Sequence, residues 1–442
     1  MDVALLSAII VLPFLAALAC ARAIATNPRQ AMVVSTAAAF VLAVLGLLAT
    51  VDSVLPLLLT GRELLLTPIA QLGIQLQALA ILGLFRPAGT VHEARMAPWL
   101  PVAWLSVAGM TLALLLNSLS LGLLAFVAAA MLWAFGLPAS ERSVAAGPVL
   151  RYAALLSLVM PLLLLAFALA ERRTGSGTPD LEIVALALAA PGYGLILGIV
   201  PMHAWTLSLA GGAPREMLLG VLTLVQATAL VMLLRTLEAY PWISEVASTP
   251  LLVGGTLSVL VGGWLAFSAR LDDPDDWLVH AAVAHSGMLL IGLGTQSHAA
   301  MVGVLLLVFV RVLALVTLSS SRRVSGHLRR LGFGTATLAL AGTPGLAGFP
   351  GLWLVLGHVP TTYAAAIRLA VLAGSGLLFA TAIRHWRAPA TLADDTPAGA
   401  DDRGARVAVW VLIAVLLSLG LAPQVVVGAF ERALRGMFIA AP

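Results

Sequence analysis

Few side chains in this sequence can carry a charge or a proton, and the informative ones interrupt long apolar stretches. His203, His280, His285 and Arg311 lie within or at the edges of such stretches, Glu216 and the uncharged but polar Gln226 sit in another, and these six are the candidates for lining an ion path. Imidazole titrates near neutrality and can relay protons. His203 can do that, or it can satisfy carbonyls freed around Pro201. His280 and His285 are five residues apart and can open a half-channel or occupy a wet helix end. Arginine stays protonated, so Arg311 can act as a fixed charge, a lipid-headgroup anchor, a contact to a neighbouring subunit, or a side chain that snorkels. Glu216 beside Arg215 reads as an acid at a helix N-terminus, which is favourable by itself. Gln226 with Thr223 and Thr228 makes a polar stripe suited to hydrogen bonds between helices.

The elements that must position these groups are two apolar segments interrupted in a similar way. One contains Pro191-Gly192 and then Gly198-Ile199-Val200-Pro201-Met202-His203-Ala204-Trp205; the other contains Gly342-Thr343-Pro344-Gly345 and then Gly348-Phe349-Pro350-Gly351-Leu352-Trp353. Proline removes a backbone donor and clashes with the preceding turn, so breaks are expected at Pro191, Pro201, Pro344, Pro350 and Gly351. A pair of broken membrane helices, one in each half of a chain, points to a transporter built from inverted repeats. Neither segment holds an acid or a lysine.

The composition leaves no room for a water-soluble globule: 61% of residues are hydrophobic, 10% are charged and the mean hydropathy is +1.05. Uncharged runs at 96–140, 183–214, 246–269, 277–310 and 331–367 each exceed the ~20 residues that cross a bilayer. The expected class is an all-α polytopic membrane protein, because a β-barrel would show short alternating segments instead. All 24 basic residues are arginine, scattered over loops, and they form no nucleic-acid patch. The single cysteine, Cys20, excludes an internal disulfide. No Cys/His set has metal-ligand spacing. No cofactor fingerprint or nucleophile triad is present, so neither a cofactor nor catalysis by the chain alone is expected. The first apolar stretch lacks a basic n-region and reads as a retained helix.

About fourteen spans follow from apolar length and flanking signals, near 3–20, 31–51, 66–85, 97–117, 119–138, 149–170, 181–203, 216–235, 250–268, 277–295, 299–319, 333–356, 363–383 and 406–424. The third, interrupted by Gln71, Gln75 and Gln77, is also open to a re-entrant reading. With the N-terminus outside, 16 arginines fall in cytoplasmic loops and 7 in outer ones, Arg311 lying within a span. That bias favours both termini on the outer side. The expected partition is 1–96 for helices 1–3, a five-helix repeat over 97–235, a second over 250–383, a cytoplasmic loop over 384–405, and a last helix with an interfacial tail over 406–442.

The stretch Gly198-x-x-Pro201-x-His203-x-Trp205, then Ala213-Pro214, then Leu233-Leu234-Arg235, resembles the signature of the proton-translocating antiporter-like membrane subunits. That family includes the large membrane subunits of respiratory complex I, of multi-subunit sodium/proton antiporters and of membrane hydrogenases. Ala284-His285-Ser286-Gly287-Met288 and Ala341-Gly342-Thr343-Pro344 with Ala347-Gly348-Phe349-Pro350-Gly351 continue the match from about 190 to 356. The resemblance implies a chain of buried titratable groups along the membrane midplane. Here the positions it implies are filled by Ile196, Ala227, Leu313 and Leu352; the fifth helix has no charge, and Asp275-Asp276 replace a basic pair. Ile, Ala and Leu cannot change charge. The resemblance therefore implies a subunit of a complex I-like (NADH:quinone oxidoreductase-related) assembly in a bacterial-type inner membrane. Its partners would be other membrane subunits and lipid, and its role would be architecture more than proton transfer. Two rivals stand beside it: a working proton or sodium path through His203, and a membrane subunit of an inorganic-carbon uptake complex.

Overall fold

In a bilayer every backbone donor and acceptor must be satisfied within the protein, and apolar runs of this length do so as helices. The structure, a computed structural model, describes residues 2–57, 62–86, 93–94, 96–136, 142–176, 179–269, 274–387 and 403–434. Along the chain come α1 (Asp2–Thr26), α2 (Pro28–Leu48), the strands β1 (Val54–Leu57) and β2 (Arg62–Leu65), and α3 (Pro68–Leu84). Then follow α4 (Leu100–Leu115), α5 (Leu119–Phe135), α6 (Arg142–Ser176), α7 (Pro179–Leu197) and the short α8 (Ala204–Ala210). Next are α9 (Arg215–Ala239), α10 (Pro241–Ser268), α11 (Pro274–Gly294) and α12 (His298–Ser321). The chain ends with α13 (Gly326–Leu340), α14 (Gly348–Gly357), α15 (Thr361–Arg387), α16 (Arg403–Leu421) and α17 (Gln424–Ala433). Among the described residues, ten helices are long and apolar enough to cross a membrane, and four more apolar helices are shorter. The chain is thus a helical multi-pass membrane protein. The small antiparallel hairpin, with Val54 opposite Leu65, is an element the helical patterning did not anticipate.

By contact the chain divides into two units, Met1–Ile196 with Gly212–Ile243, and Leu197–Gly211 with Ser244–Pro442. In the first, α1 packs on α2 and α4, α2 on α3, and α4 on α5. The glutamines of α3, which weakened its reading as a span, are structural donors. Gln71 Nε2 donates to Gly46 O (2.6 Å) and Ala49 O (3.1 Å), and Gln75 Nε2 to Ala43 O (3.0 Å). They cover carbonyls in the last turns of α2, where a helix runs out of internal partners. A π-helical segment over Val221–Val225 interrupts α9, whose apolar window is wholly buried.

In the second unit α12 is the central element, packed by α11, α13, α14 and α16. Its contact with α14 is backbone to backbone. A methyl added to Gly303 would stand 2.7 Å from Gly351 O, and one on Gly351 would stand 2.9 Å from Gly303 O. Small residues at such crossings are how helices associate when the surrounding solvent is as apolar as their side chains. Gly351 is therefore a packing residue and not a helix break.

Two further sequence expectations are corrected. α7 runs without interruption through Pro191, with Gly192 packed under Leu163 of α6. Neighbouring protein makes an interior proline tolerable in such a helix. Pro350 lies in the first turn of α14, where its missing N–H would have had no partner. The linker expected over 384–405 falls mostly on 388–402, outside the described residues, and its flanks belong to α15 and α16.

Candidate functional site

The two real interruptions are built alike and lie at the sequence motifs. α13 ends in a Schellman turn: Gly342 takes a φ of 70°, Gly342 N donates to Ala339 O (3.1 Å) and Thr343 N to Leu338 O (3.1 Å). Only glycine adopts that backbone without steric cost. Pro344 lies in the loop that follows, and Ala347 N closes it on Leu416 O of α16 (2.9 Å). α7 likewise ends before a glycine of positive φ, Gly198 at 61°. The next residues, including Pro201 after a cis peptide, lead into α8. Val200 N donates to Ser258 Oγ of α10 (3.1 Å), and Thr206 supplies both its hydroxyl (2.5 Å) and its amide (3.0 Å) to His203 O. The task of satisfying freed backbone groups therefore falls to Ser258 and Thr206, not to the His203 ring. The ring is half-buried, and its Nδ1 has no hydrogen-bond partner.

The second unit gathers His203, His280, His285 and Arg311. Arg311, 1% exposed, donates through Nη1 to Ser286 Oγ (2.7 Å) and Ala282 O (3.2 Å), both on α11. This is a fixed charge held inside a helix bundle, so neither snorkelling nor a lipid-headgroup contact describes it. His285 is adjacent to Ser286 on α11 and is fully buried, and neither of its ring nitrogens has a hydrogen-bond partner. His280 pairs with Asp276 at 3.3 Å one turn along the helix. His280 and His285 are thus both buried, with His280 alone paired to a partly exposed acid near the start of α11. Asp275 pairs with Arg322 at 3.1 Å. Leu313 and Leu352 are buried on α12 and α14. The cluster offers buried imidazoles, one of them paired with the partly exposed Asp276 carboxylate, and a buried cation. That chemistry can hold or pass a proton, and it can equally fix α11 against α12.

The first unit has a different character. Ile196 and Ala227 are buried, and Gln226 Nε2 reaches Ile196 O at 3.3 Å. Gln77 Nε2 donates to Thr228 Oγ1 (3.2 Å) and Thr111 Oγ1 donates to Gln77 Oε1 (3.0 Å). Amides and hydroxyls close on each other here. Glu216, at 6% exposure in the first turn of α9, is buried. Arg235, the last residue of the span expected over 216–235, is buried in α9, with Nη1 on Ala113 O (3.0 Å) and Leu114 O (2.7 Å) and Nη2 on Leu116 O (2.8 Å). It caps the C-terminus of α4. The same three-residue motif, Leu233-Leu234-Arg235, was the available signal. Among the described residues no three of His, Cys, Asp and Glu converge as a metal site.

No family model matches the sequence. The chain is 30% identical over 375 residues to NADH-quinone oxidoreductase subunit 14 of Thermus thermophilus, which covers 79% of this chain and 84% of that one. It is 26% identical over 287 residues to NADH-quinone oxidoreductase subunit N 1 of Koribacter versatilis, covering 59% and 56%. Its fold matches a chain of respiratory complex I from Thermus thermophilus with a TM-score of 0.76 at 24% identity, covering 98% of this chain and 100% of that one. A chain of the Mrp complex from a Dietzia species gives 0.78 at 16% identity, covering 98% of each. Shared sequence over most of both the Thermus and the present chains, carried on one multi-pass helical fold, means that this protein belongs to the family of NADH-quinone oxidoreductase subunit 14/N, the antiporter-like membrane subunits.

Proposed function

We propose that the chain is a membrane subunit of a complex I-like assembly, contributing architecture rather than a proton path along the family's midplane line. The observation that carries this is the filling of that line. Ile196, Ala227, Leu313 and Leu352 are buried and cannot titrate. The polar groups around the first two are amides and hydroxyls engaged with one another. Ionisable groups within a bilayer are costly and persist where function demands them, so their replacement by aliphatic residues fits a subunit released from that demand. In this reading fourteen spans carry both termini to the outer side. The units 97–235 and 250–383 are inverted five-helix repeats, flanked by helices 1–3 over 1–96, a cytoplasmic loop over 384–405, and a last helix and interfacial tail over 406–442. The matching glycine-terminated breaks before α8 and α14 support the repeat. The relatives named above for NADH-quinone oxidoreductase suggest the assembly, with other membrane subunits as neighbours.

One observation favours a second reading. His285 is buried with both ring nitrogens unpartnered, beside the Arg311–Ser286 pair. A polar group in that position costs about 1–3 kcal/mol unless something hydrogen-bonds to it, and a proton relay would give it a reason to persist. The test is proton uptake by the assembled complex in sealed vesicles, with His203→Ala, His285→Leu and Arg311→Met each introduced. Unchanged proton-to-electron ratios support the architectural role. Lost pumping with normal assembly and electron transfer would make His285 and its neighbours the path.

A further inference from the structure

A cavity of about 640 Å³ opens between α14 and α15, walled by apolar side chains such as Leu352, Trp353, Leu372 and Phe379 and reaching the chain break at Pro344. Trp353 and Leu372 are 67% and 63% exposed, so this wall faces outward. One end is cationic. Arg368 of α15 donates through Nε to Leu356 O at the end of α14 (3.1 Å). Its two Nη groups make no hydrogen bond and no ion pair among the described residues. Arg368 therefore stands beside the last turn of α14, about two turns into α15. Arg368, Leu372 and Phe379 line the cavity along one face of α15. At ~1.5 Å per residue that face runs inward for roughly 16 Å. The hydrocarbon core is ~30 Å thick, so the groove is about one leaflet deep.

We propose that this groove is a binding site for an anionic phospholipid, with the phosphate on the Arg368 guanidinium and an acyl chain lying between α14 and α15 down to the helix break. Depth and charge select this occupant. A transmembrane helix of a neighbouring subunit would run the full thickness of the membrane and would bring no obligatory anion to Arg368. A phospholipid supplies a negative group at the headgroup level and one leaflet's length of apolar chain below it. A guanidinium is also the side chain best matched to phosphate oxygens. The exposed Trp353 ring and the Leu372 side chain then meet acyl chains, which costs nothing in a bilayer.

The test is retention of phosphatidylglycerol by the purified full-length chain, taken from vesicles of phosphatidylcholine with a minority of phosphatidylglycerol and read by native mass spectrometry. The wild type should keep a bound phosphatidylglycerol. Arg368→Gln should lower that retention about fivefold, the factor expected for one basic group near a membrane surface, whereas Arg368→Lys should keep most of it. Leu372→Trp, which fills the groove, should displace the lipid whatever its headgroup, and this variant carries the test if Arg368→Gln folds poorly. Equal retention in wild type, Arg368→Gln and Leu372→Trp would overturn the proposal. So would a photoreactive side chain at position 372 that, in the assembled complex, crosslinks to a partner polypeptide and not to lipid.

Discussion

Replacing Arg235 by lysine separates a scaffold role from a role in ion movement at a buried charge. Arg235 spreads two Nη groups over three carbonyls, Ala113 O, Leu114 O and Leu116 O, at 2.7 to 3.0 Å. These belong to the last turn and cap of α4, which have no partner further along their own helix. Lysine keeps the positive charge, and with it the favourable interaction with the α4 dipole. Its donors sit on one nitrogen instead of a two-nitrogen fork, so it can serve the one or two carbonyls that a single Nη serves but not all three. One or two bonds are lost. In water a hydrogen bond to a charged group contributes about 1.5–3 kcal/mol. In bilayers measured values fall to about 0.6–1.7 kcal/mol, because the membrane-inserted unfolded chain finds other partners. The bilayer scale applies here and gives a loss of about 1–3 kcal/mol. The assay is the detergent-induced unfolding midpoint of the purified full chain, with proton uptake of the assembled complex measured in parallel. A lower midpoint with an intact proton-to-electron ratio is expected. An unchanged midpoint with abolished proton uptake would refute the capping argument and place Arg235 on a transport path.

Gly303→Val should destabilise by about 1–3 kcal/mol through overpacking against Gly351 O, measured by the same unfolding midpoint, while Gly254→Ala, whose added methyl meets nothing within 4 Å, should leave it nearly unchanged. Ile196→Lys should cost several kcal/mol, because the buried site offers no acid to a new cation; equal expression and unfolding would show that water reaches position 196. His285→Leu should be neutral or stabilising in the architectural reading, since it removes an unpartnered buried polar group, and a selective loss of pumping in that variant would instead establish the second reading. Pro350→Ala should shift stability by less than about 1 kcal/mol, because the first turn of α14 has no use for the restored N–H; a large change in the unfolding midpoint would mean that the proline ring itself is packed.

The sequence alone determined the solvent and the helical class. Apolar runs longer than a bilayer is thick have one stable solution, and the Pro/Gly clusters near 198–203 and 341–347 interrupt it wherever the chain is read. The motif spacing also carried the family, because those residues set backbone geometry: Gly198 and Gly342 occupy positive φ, which only a residue without Cβ takes freely. What the sequence could not decide was which polar residues face one another. Pro191 and Pro350 look alike as prolines, yet one lies inside a helix held by its neighbours and the other in a first turn. Gly351 beside a proline reads as a break until Gly303 of α12 is found against its backbone. Gln77, Thr111 and Thr228 are far apart in the chain, and so are Ser258 and Val200. Periodicity says that each residue lies on a helix but not which helix it meets. Arg235, Arg311 and His285 follow the same logic. A charge or imidazole in an apolar run is visible at once, but its partners are set by how helices pack. Burial without a partner, as at His285, exists only in three dimensions.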